Sequence, residues 1–262
     1  MSSRTETIEN LNRCFDDLEA LLDGLSEADW GVQSLCPDWT VRGVVEHLVG
    51  VEHVLSGWIP TEDDDKPPFE KMEALTAKVK PMSNDELADE TKRILATRRS
   101  DLAGTTDEEF TRASMTPVGP GTYHRFMDVR VFDFWVHQRD MTGPLGRTTE
   151  DSGPAAETAL DEVHGSIGYI VGKRIGLPDG MSIAIHVTGP VERDIYAAVD
   201  GRAAKVDQLD SPSVELTTDT LTFIQLACGR IDPQGVIDAG KISWSGDDEW
   251  GEKAARNLRF TM

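Results

Sequence analysis

The chain is poor in cysteine and in positive charge. It has three cysteines among 262 residues, Cys14, Cys36 and Cys228, at wide spacing. This number and spacing exclude a disulfide framework and a zinc-finger pattern, and we expect a reducing, cytoplasmic location. Lysine and arginine number 26 against 47 aspartates and glutamates, a formal net charge of −21. Such an acidic surface favours solubility and repels phosphate backbones and anionic membranes, so we expect neither nucleic acid nor a membrane as a partner.

Long apolar runs and common catalytic motifs are also missing. No stretch approaches the roughly 20 apolar residues that span a bilayer, and the N-terminus lacks the apolar run of a signal peptide. The chain has no G-x-G-x-x-G, Walker, H-E-x-x-H or G-x-S-x-G motif. The length suits one large domain or two ordinary ones.

Apolar periodicity predicts four long helices in the first half of the chain. Apolar residues recur at intervals of three and four in residues 5–24, about 41–58, about 83–102 and 123–141. Thr40 and Ser83 are placed to cap the second and third of these helices. Residues 104–122 are predicted to be a long connector. Four helices with connectors of mixed length predict a four-helix bundle, in which side chains on facing helices can hold a metal.

The pattern changes near residue 148. An amphipathic helix over residues 154–175 precedes two strand-like runs joined by a hairpin-like connection. The strands are predicted at 182–187, 194–199, Val206, 214–216 and 241–244, and two further helices at 218–229 and 247–258. Strands grouped with helices indicate a small α+β domain. We therefore expect a helical domain over residues 1–148 and an α+β domain over residues 149–262.

The fourth helix carries a polar stripe among apolar residues. Asp133 and His137 are four residues apart and share one face, which Asp140 continues. Such a stripe is costly to bury unless something pairs with it. His47, at the edge of the apolar stripe of the second helix, points toward the core. Two imidazoles and a carboxylate are a ligand set that zinc takes, with a position left for water or substrate.

Spacing alone leaves the metal and the site open. Nickel, cobalt and iron accept the same ligands as zinc. An acid and a histidine at this spacing usually form an ordinary hydrogen-bonded pair, and a core-facing histidine is more often a satisfied core residue than a ligand. Asp140 is placed to orient His137 from outside the ligand set.

Four other residues are weaker candidates for chemistry, and one of them, His186 in a predicted strand, is expected to face solvent or to form a structural hydrogen bond. Cys36 could act as a nucleophile, but a packed thiol is the favoured interpretation. His124, at the start of the fourth helix, could contact substrate. Arg230, after a helix of the second domain, could bind an anion, although a surface salt bridge is the simpler role.

Two segments of the chain follow known sequence signatures. Residues 34–48, SLCPDWTVRGVVEHL, are similar to S-x-C-P-G-W-T-V-R-D-V-V-A-H-L. Residues 130–140, RVFDFWVHQRD, are similar to R-x-x-E-x-W-V-H-x-x-D. The chain thereby resembles the mycothiol-dependent maleylpyruvate isomerase family, within the wider DinB-like superfamily. Residues 216–230 and 244–247 resemble the family's C-terminal domain, itself similar to sterol-carrier-type folds. The resemblance implies an α+β protein, with a DinB-like metal-binding four-helix bundle followed by a small α+β domain.

The resemblance also implies a ligand set and a reaction. By position, His47 and His137 match the family's metal histidines, and Asp133 stands where the family usually has a glutamate. The implied cofactors are a divalent metal, zinc in the first place, and mycothiol as the thiol cosubstrate. A metal-held thiolate could add to a double bond of a small electrophile and leave again, which gives cis–trans isomerisation, or it could be transferred to the electrophile. The sequence specifies neither the electrophile nor the oligomeric state.

Two other interpretations stay open at this stage. In one, the protein is a non-catalytic binding protein whose sterol-carrier-like half holds an apolar ligand, with the metal structural or absent. In the other, it is a metal-free scaffold.

Overall fold

A computed structural model describes residues 2–62 and 65–261. The chain divides into two units, residues 1–149 and 150–262, next to the boundary predicted at residue 148. The α-helices of the first unit are α1 (Arg4–Asp23), α2 (Val41–Leu55), α3 (Lys71–Val79), α4 (Asn84–Ala103), α5 (Asp107–Thr111) and α6 (Tyr123–Thr142), and a 3-10 turn, Asp29–Gly31, lies between α1 and α2. Two short strands, β1 (Ala113–Thr116) and β2 (Gly119–Thr122), form an antiparallel hairpin just before α6.

The four long helices pack as the predicted bundle. Helices α1 and α2 each pack against both α4 and α6. The predicted caps are present: Ser83 Oγ accepts a hydrogen bond from the backbone of Glu86, and Thr40 Oγ1 accepts one from the backbone of Gly43. Because Thr40 starts α2 and Thr122 caps α6 in the same way, the beginnings of both helices that carry the candidate ligands are fixed.

The prediction of a plain connector over residues 104–122 is wrong. Thr106 caps the short helix α5, and Phe110 buries its side chain, 1% exposed. The β1–β2 hairpin follows, closed by a hydrogen bond from Thr116 Oγ1 to the carbonyl of Gly119 at 2.7 Å.

The second helix, α2, is shorter than predicted, because the backbone becomes extended at Ser56.

The second unit is built on a five-stranded mixed sheet. Its strands are β3 (Ser182–Thr188), β4 (Arg193–Asp200), β5 (Arg202–Val206), β6 (Val214–Asp219) and β7 (Ile242–Gly246). They lie in the order β5-β4-β3-β6-β7, with β3 and β6 parallel and all other pairs antiparallel. The helices are α7 (Gly153–Gly165), α8 (Ile167–Tyr169), α9 (Thr220–Ala227), α10 (Pro233–Asp238) and α11 (Asp248–Arg256). The predicted α+β class is confirmed.

The long helix predicted over residues 154–175 is a series of shorter pieces. After α7 and α8 the chain continues as a π-helical segment, Ile170–Ile175, and Gly176 ends it with a left-handed backbone at φ 69°. Gly172 lies so close to edge strand β5 that a Cβ there would come within 2.9 Å of the Cβ of Ala203. This glycine therefore permits the close approach of helix and strand.

None of the helices in the described part of the chain combines the length and the apolar character that crossing a membrane requires.

Candidate metal centre

Helices α2 and α6 bring His47, Asp133 and His137 together. His47 Nε2 lies 3.3 Å from Asp133 Oδ2, and His137 Nε2 lies 3.4 Å from Asp133 Oδ1. Each residue offers one ligand atom such that all three atoms lie within 4.8 Å of one another. The three residues predicted from the sequence thus lie in one cluster, and their role as metal ligands stays a prediction.

The geometry of this cluster fits a divalent ion. Zinc binds imidazole nitrogen and carboxylate oxygen at about 2.0–2.2 Å, so tetrahedral coordination places neighbouring ligand atoms about 3.3–3.6 Å apart. The separations from the two histidine nitrogens to the Asp133 carboxylate are of that size, each to a different oxygen, and one donor atom from each residue lies within 4.8 Å of the other two. The side chains of His47 and Asp133 are 28% and 23% exposed. The donor set therefore suits an ion that keeps one coordination position accessible from solvent.

The other side of the His137 ring is held by Asp140. His137 Nδ1 lies 2.9 Å from Asp140 Oδ2, and the Cys36 thiol donates to the same oxygen at 3.1 Å. All three side chains are buried. Because a carboxylate can only accept, Nδ1 carries a proton, and Nε2 is the nitrogen that faces Asp133 and would bind an ion.

Cys36, His137 and Asp140 form a second group of possible metal ligands, with donor atoms within 4.8 Å of one another. These atoms already hydrogen bond to one another, which satisfies them without an ion. Cys36 is thus a buried thiol, as the favoured interpretation had it, but one that contacts a residue of the cluster.

A line of buried charges ends at Asp133. Arg130 donates from Nη1 to Asp133 Oδ2 and from Nε to Glu52 Oε1, the latter at 2.8 Å. Arg98 Nε donates to the other oxygen of Glu52 at 2.8 Å. The side chains of Arg98, Glu52 and Arg130 are 0%, 1% and 3% exposed. Charges this deeply buried are tolerable because each is paired and hydrogen-bonded.

The pKa values of Asp133 and His137 move in opposite directions. Burial would raise the pKa of Asp133, but the charge of Arg130 and the contacts with His137 hold it well below its ordinary value. Burial would lower the pKa of His137, but the charge of Asp133 and the hydrogen bonds of Asp133, Asp140 and Cys36 raise it well above its ordinary value. Without an ion, the two residues therefore form a charged pair.

Trp39 forms an aromatic wall beside the histidines. Its ring stacks on that of His47, with centroids 4.8 Å apart and planes 28° apart, and lies 5.8 Å from the ring of His137. The side chains of Gln33 and Ser34 donate to the backbone carbonyl of Trp39 at 2.8 and 2.7 Å, which fixes the connector that carries it. An apolar face next to two imidazoles excludes water from that side of the cluster.

Trp39 and Arg130 were not predicted as functional residues. Both lie inside the two motif segments, 34–48 and 130–140, so the motifs themselves held the signal. Periodicity offered none, because it distinguishes buried from exposed positions and says nothing of which residue contacts a ligand.

His124 contacts residues of the first unit that lie outside the cluster, and Arg230 belongs to the second unit. His124 Nε2 is 2.9 Å from Thr7 Oγ1 and 3.8 Å from Asp128 Oδ1, and its ring lies 5.4 Å from that of Phe110. None of these neighbours belongs to the cluster. Arg230 lies in the second unit, where its Nη1 donates to the carbonyl of Cys228 at 3.0 Å. A role of either residue in chemistry stays a prediction.

Known proteins resemble both the first unit and the whole fold. A family model described as the mycothiol maleylpyruvate isomerase N-terminal domain matches residues 11–142, about half of the chain. The crystal structure of the mycothiol-dependent maleylpyruvate isomerase aligns with a TM-score of 0.64 at 16% identity, over 94% of this chain and 96% of that one. A mutant of that isomerase aligns with a TM-score of 0.59 at the same identity and coverage.

A further solved structure overlaps only part of the chain. Sterol carrier protein 2 from Yarrowia lipolytica aligns with 17% identity over 38% of this chain and 84% of that one. Its TM-score of 0.28 is too low to support an inference. No curated protein matches the sequence significantly. The structural likeness to the isomerase establishes a shared fold: a helical unit followed by an α+β unit.

Proposed function

Because the chain belongs to the family of the mycothiol maleylpyruvate isomerase N-terminal domain, we propose that it is a metal-dependent isomerase that uses mycothiol as its thiol. Its substrate would be a small electrophile with an activated double bond, and its metal zinc in the first place. The observation that carries the proposal is the cluster of two imidazole nitrogens and one carboxylate within the matched domain.

In this proposal His47, Asp133 and His137 hold the metal. When bound, the metal supplies Lewis acidity that keeps a thiol sulfur deprotonated near neutral pH. Asp140 keeps the proton of His137 on Nδ1, so that Nε2 is free to bind. Arg130 restrains one oxygen of Asp133, which limits the rotation of the shorter carboxylate arm.

The aromatic ring of Trp39 adds a water-excluding surface to the site. It covers one side of both imidazoles, so a substrate that approaches along this side meets an apolar face rather than solvent. Exclusion of water strengthens the electrostatic interactions of a charged sulfur with its surroundings.

A second candidate function is metal-free binding, and one observation favours it. Arg130, Asp133 and His137 already pair their charges, so the cluster is stable without an ion.

Metal titration separates the two candidates. Zinc added to metal-free protein should bind at one site, and His137→Ala should weaken that binding by about a hundredfold, because one of three ligands is lost. His124→Ala, on the same helix but outside the cluster, is the matched control. Equal zinc binding by the wild type and His137→Ala would contradict the site.

The reaction type is tested by following free thiol. Zinc-loaded protein, mycothiol and maleylpyruvate should give the trans isomer while the amount of free thiol stays constant, since isomerisation regenerates the thiol. Thiol consumed in proportion to product would instead indicate S-transfer. If the zinc-loaded protein accelerates neither reaction, the proposal of a thiol-dependent enzyme for this substrate is wrong.

A further inference from the structure

The second unit contains an open groove with a volume of about 720 Å³. One wall is formed by residues from 165 to 177, around the π-helical segment, and the other by residues from 199 to 205, around edge strand β5. The volume lies within the range of small-molecule sites. None of the residues that line the groove is an aspartate or glutamate, although acidic residues outnumber basic ones in this chain 47 to 26.

Three cations line this groove. Lys173 stands on the helical wall, and Arg202 and Lys205 stand on the strand wall. Within residues 2–62 and 65–261, none of the three forms an ion pair or a side-chain hydrogen bond. The nearby Asp179 carboxylate is engaged, since it accepts a hydrogen bond from the backbone of Gly201 at 2.6 Å. Positive charge is thus concentrated and unpaired here, which favours an anion as the occupant.

The histidine next to the groove also lies in this positive environment. His164 immediately precedes the lining residue Gly165, and its Nε2 is buried without a hydrogen-bond partner among the described residues. Burial lowers the pKa of His164, and the charges of Lys205 and Arg193 lower it further. The charge of Lys205 therefore acts at this end of the groove.

The base of the groove is narrow and its wall is aromatic. A Cβ added to Gly168 would lie 3.2 Å from the carbonyl oxygen of Ala203, and a Cβ added to Gly172 would lie 2.9 Å from the Cβ of Ala203. The backbone and the methyl group of Ala203 therefore form the base. Tyr169 is 50% exposed, and Leu177 and Val199 add further apolar surface. Tyr169 offers a flat, half-exposed aromatic face, and the neighbouring cations offer positive charge. One ligand can therefore use both.

We propose that this groove binds a small planar organic anion, namely an aromatic or conjugated carboxylate. The flat body packs against Tyr169, and Lys173, Arg202 and Lys205 hold the carboxylate. Inorganic phosphate would use the cations but leave the aromatic wall unused. A long acyl chain would need an enclosed tunnel, whereas this groove is open to solvent. The site lies wholly within the second unit and does not depend on the metal centre of the first.

The proposal is tested by titrating the full-length protein with 2-naphthoate, a planar aryl carboxylate, by calorimetry. Saturable binding at one site is expected. Lys173→Glu should weaken it by roughly tenfold or more, because it replaces one attractive charge with a repulsive one. Lys241→Glu makes the same change of charge on an exposed lysine outside the groove and should leave the affinity unchanged. Tyr169→Ala should also weaken binding, and Lys173→Ala, a milder change, should give an intermediate affinity.

Three comparison ligands define the outcomes. Neutral 2-naphthol should bind more weakly than 2-naphthoate, because it lacks the charge. Inorganic phosphate that binds as tightly as 2-naphthoate would show a simple anion site, and a long-chain fatty acid that binds more tightly would show a lipid site. Either result overturns the proposal, as would equal effects of Lys173→Glu and Lys241→Glu or no saturable binding at all. Circular dichroism of each variant verifies the fold.

Discussion

Asp133 and Asp140 hold opposite nitrogens of a single imidazole. Oδ1 of Asp133 lies 3.4 Å from Nε2 of His137, and Oδ2 of Asp140 lies 2.9 Å from Nδ1 of the same ring. All three residues belong to α6, with one carboxylate on each side of the histidine along the helix. One helix therefore holds both nitrogens of the ring, and α2 supplies His47.

The first prediction concerns Asp140. Asp140→Asn should lower zinc affinity by about 10- to 100-fold, because the charged acceptor that fixes the His137 tautomer is lost. Competition with a chelating indicator measures the affinity. Asp128→Asn, also on α6 but in contact with Thr7, is the control and should bind zinc as the wild type does. A wild-type affinity in Asp140→Asn would show that the carboxylate does not position the ring.

The second prediction concerns the short carboxylate arm of Asp133. Asp133→Glu keeps a carboxylate and should stay within about tenfold of the wild-type zinc affinity, whereas Asp133→Asn should lose about a hundredfold or more. The amide is a poor ligand and also removes one of the two charged partners of the buried Arg130 guanidinium. Calorimetric zinc titration of both variants decides this. Equal binding by Asp133→Asn and the wild type would exclude residue 133 as a ligand.

The third prediction uses Trp39 as a reporter. Cobalt bound at the cluster should quench its fluorescence, because its ring lies 4.8 Å from that of His47. The chain has six tryptophans, so the assignment requires a variant. Trp39→Phe should remove most of the cobalt-dependent quenching and retain metal binding. Trp58→Phe, whose ring packs on Tyr123, should leave the quenching in place. Undiminished quenching in Trp39→Phe would place the metal elsewhere.

The fourth prediction concerns the buried ion pairs. Glu52→Gln should destabilise the protein by about 3–5 kcal/mol, because it leaves two buried guanidinium groups without their shared carboxylate. Urea denaturation followed by circular dichroism measures the change. Glu46→Gln removes a partly exposed pair with Arg42 and should cost less than about 1 kcal/mol. Similar losses in the two variants would show that burial does not govern the cost.

The fifth prediction is a pH dependence at Glu90. The hydrogen bond from Arg93 lowers the pKa of Glu90, and the hydrogen bond from Lys78 lowers it further, whereas burial raises it. The pKa of Glu90 is therefore about 2. Because the pKa of Glu90 is lower in the folded chain than in the unfolded chain, its ionised carboxylate stabilises the fold fully at pH values above the pKa of the unfolded chain. This stabilisation is lost as the pH falls toward 2.

The measurement for Glu90 compares the wild type with Glu90→Gln. The partners Arg93 and Lys78 are half exposed, so the difference in unfolding free energy should be only about 1 kcal/mol at pH 6. Urea denaturation should show it reduced by about half at pH 3. A difference that is constant from pH 6 to pH 3 would contradict the assignment.

The long helices and the cluster were predictable because they depend on local patterns. Apolar spacing marks α1, α2, α4 and α6, and the side chains of Thr40 and Ser83 mark two of the helix starts. Asp133 and His137 share a face by helix geometry alone. Their approach to His47, 86 residues away in sequence, followed from both motifs together and from the predicted bundle.

Other parts of the fold left weak local signals. Only Leu75 and Val79 are buried on α3, too few to mark a periodic face. The β2 strand reads Gly-Pro-Gly-Thr, a composition typical of a turn rather than a strand. The contact of Arg130 with Glu52 depends on the register between the packed helices α6 and α2. The sequence shows only that charged residues occur on otherwise apolar faces.

The buried charges of Arg98, Glu52 and Arg130 have a consequence for how this protein can evolve. They connect α4 through α2 to Asp133 on α6, and each is hydrogen-bonded to the next. Exchange of any one alone removes a charged partner from a buried neighbour and unbalances the charge of the interior, so viable descendants should change these positions in concert. Position 98, which contacts none of the candidate ligands directly, should therefore covary among homologues with position 52 and, through it, with the acid at position 133.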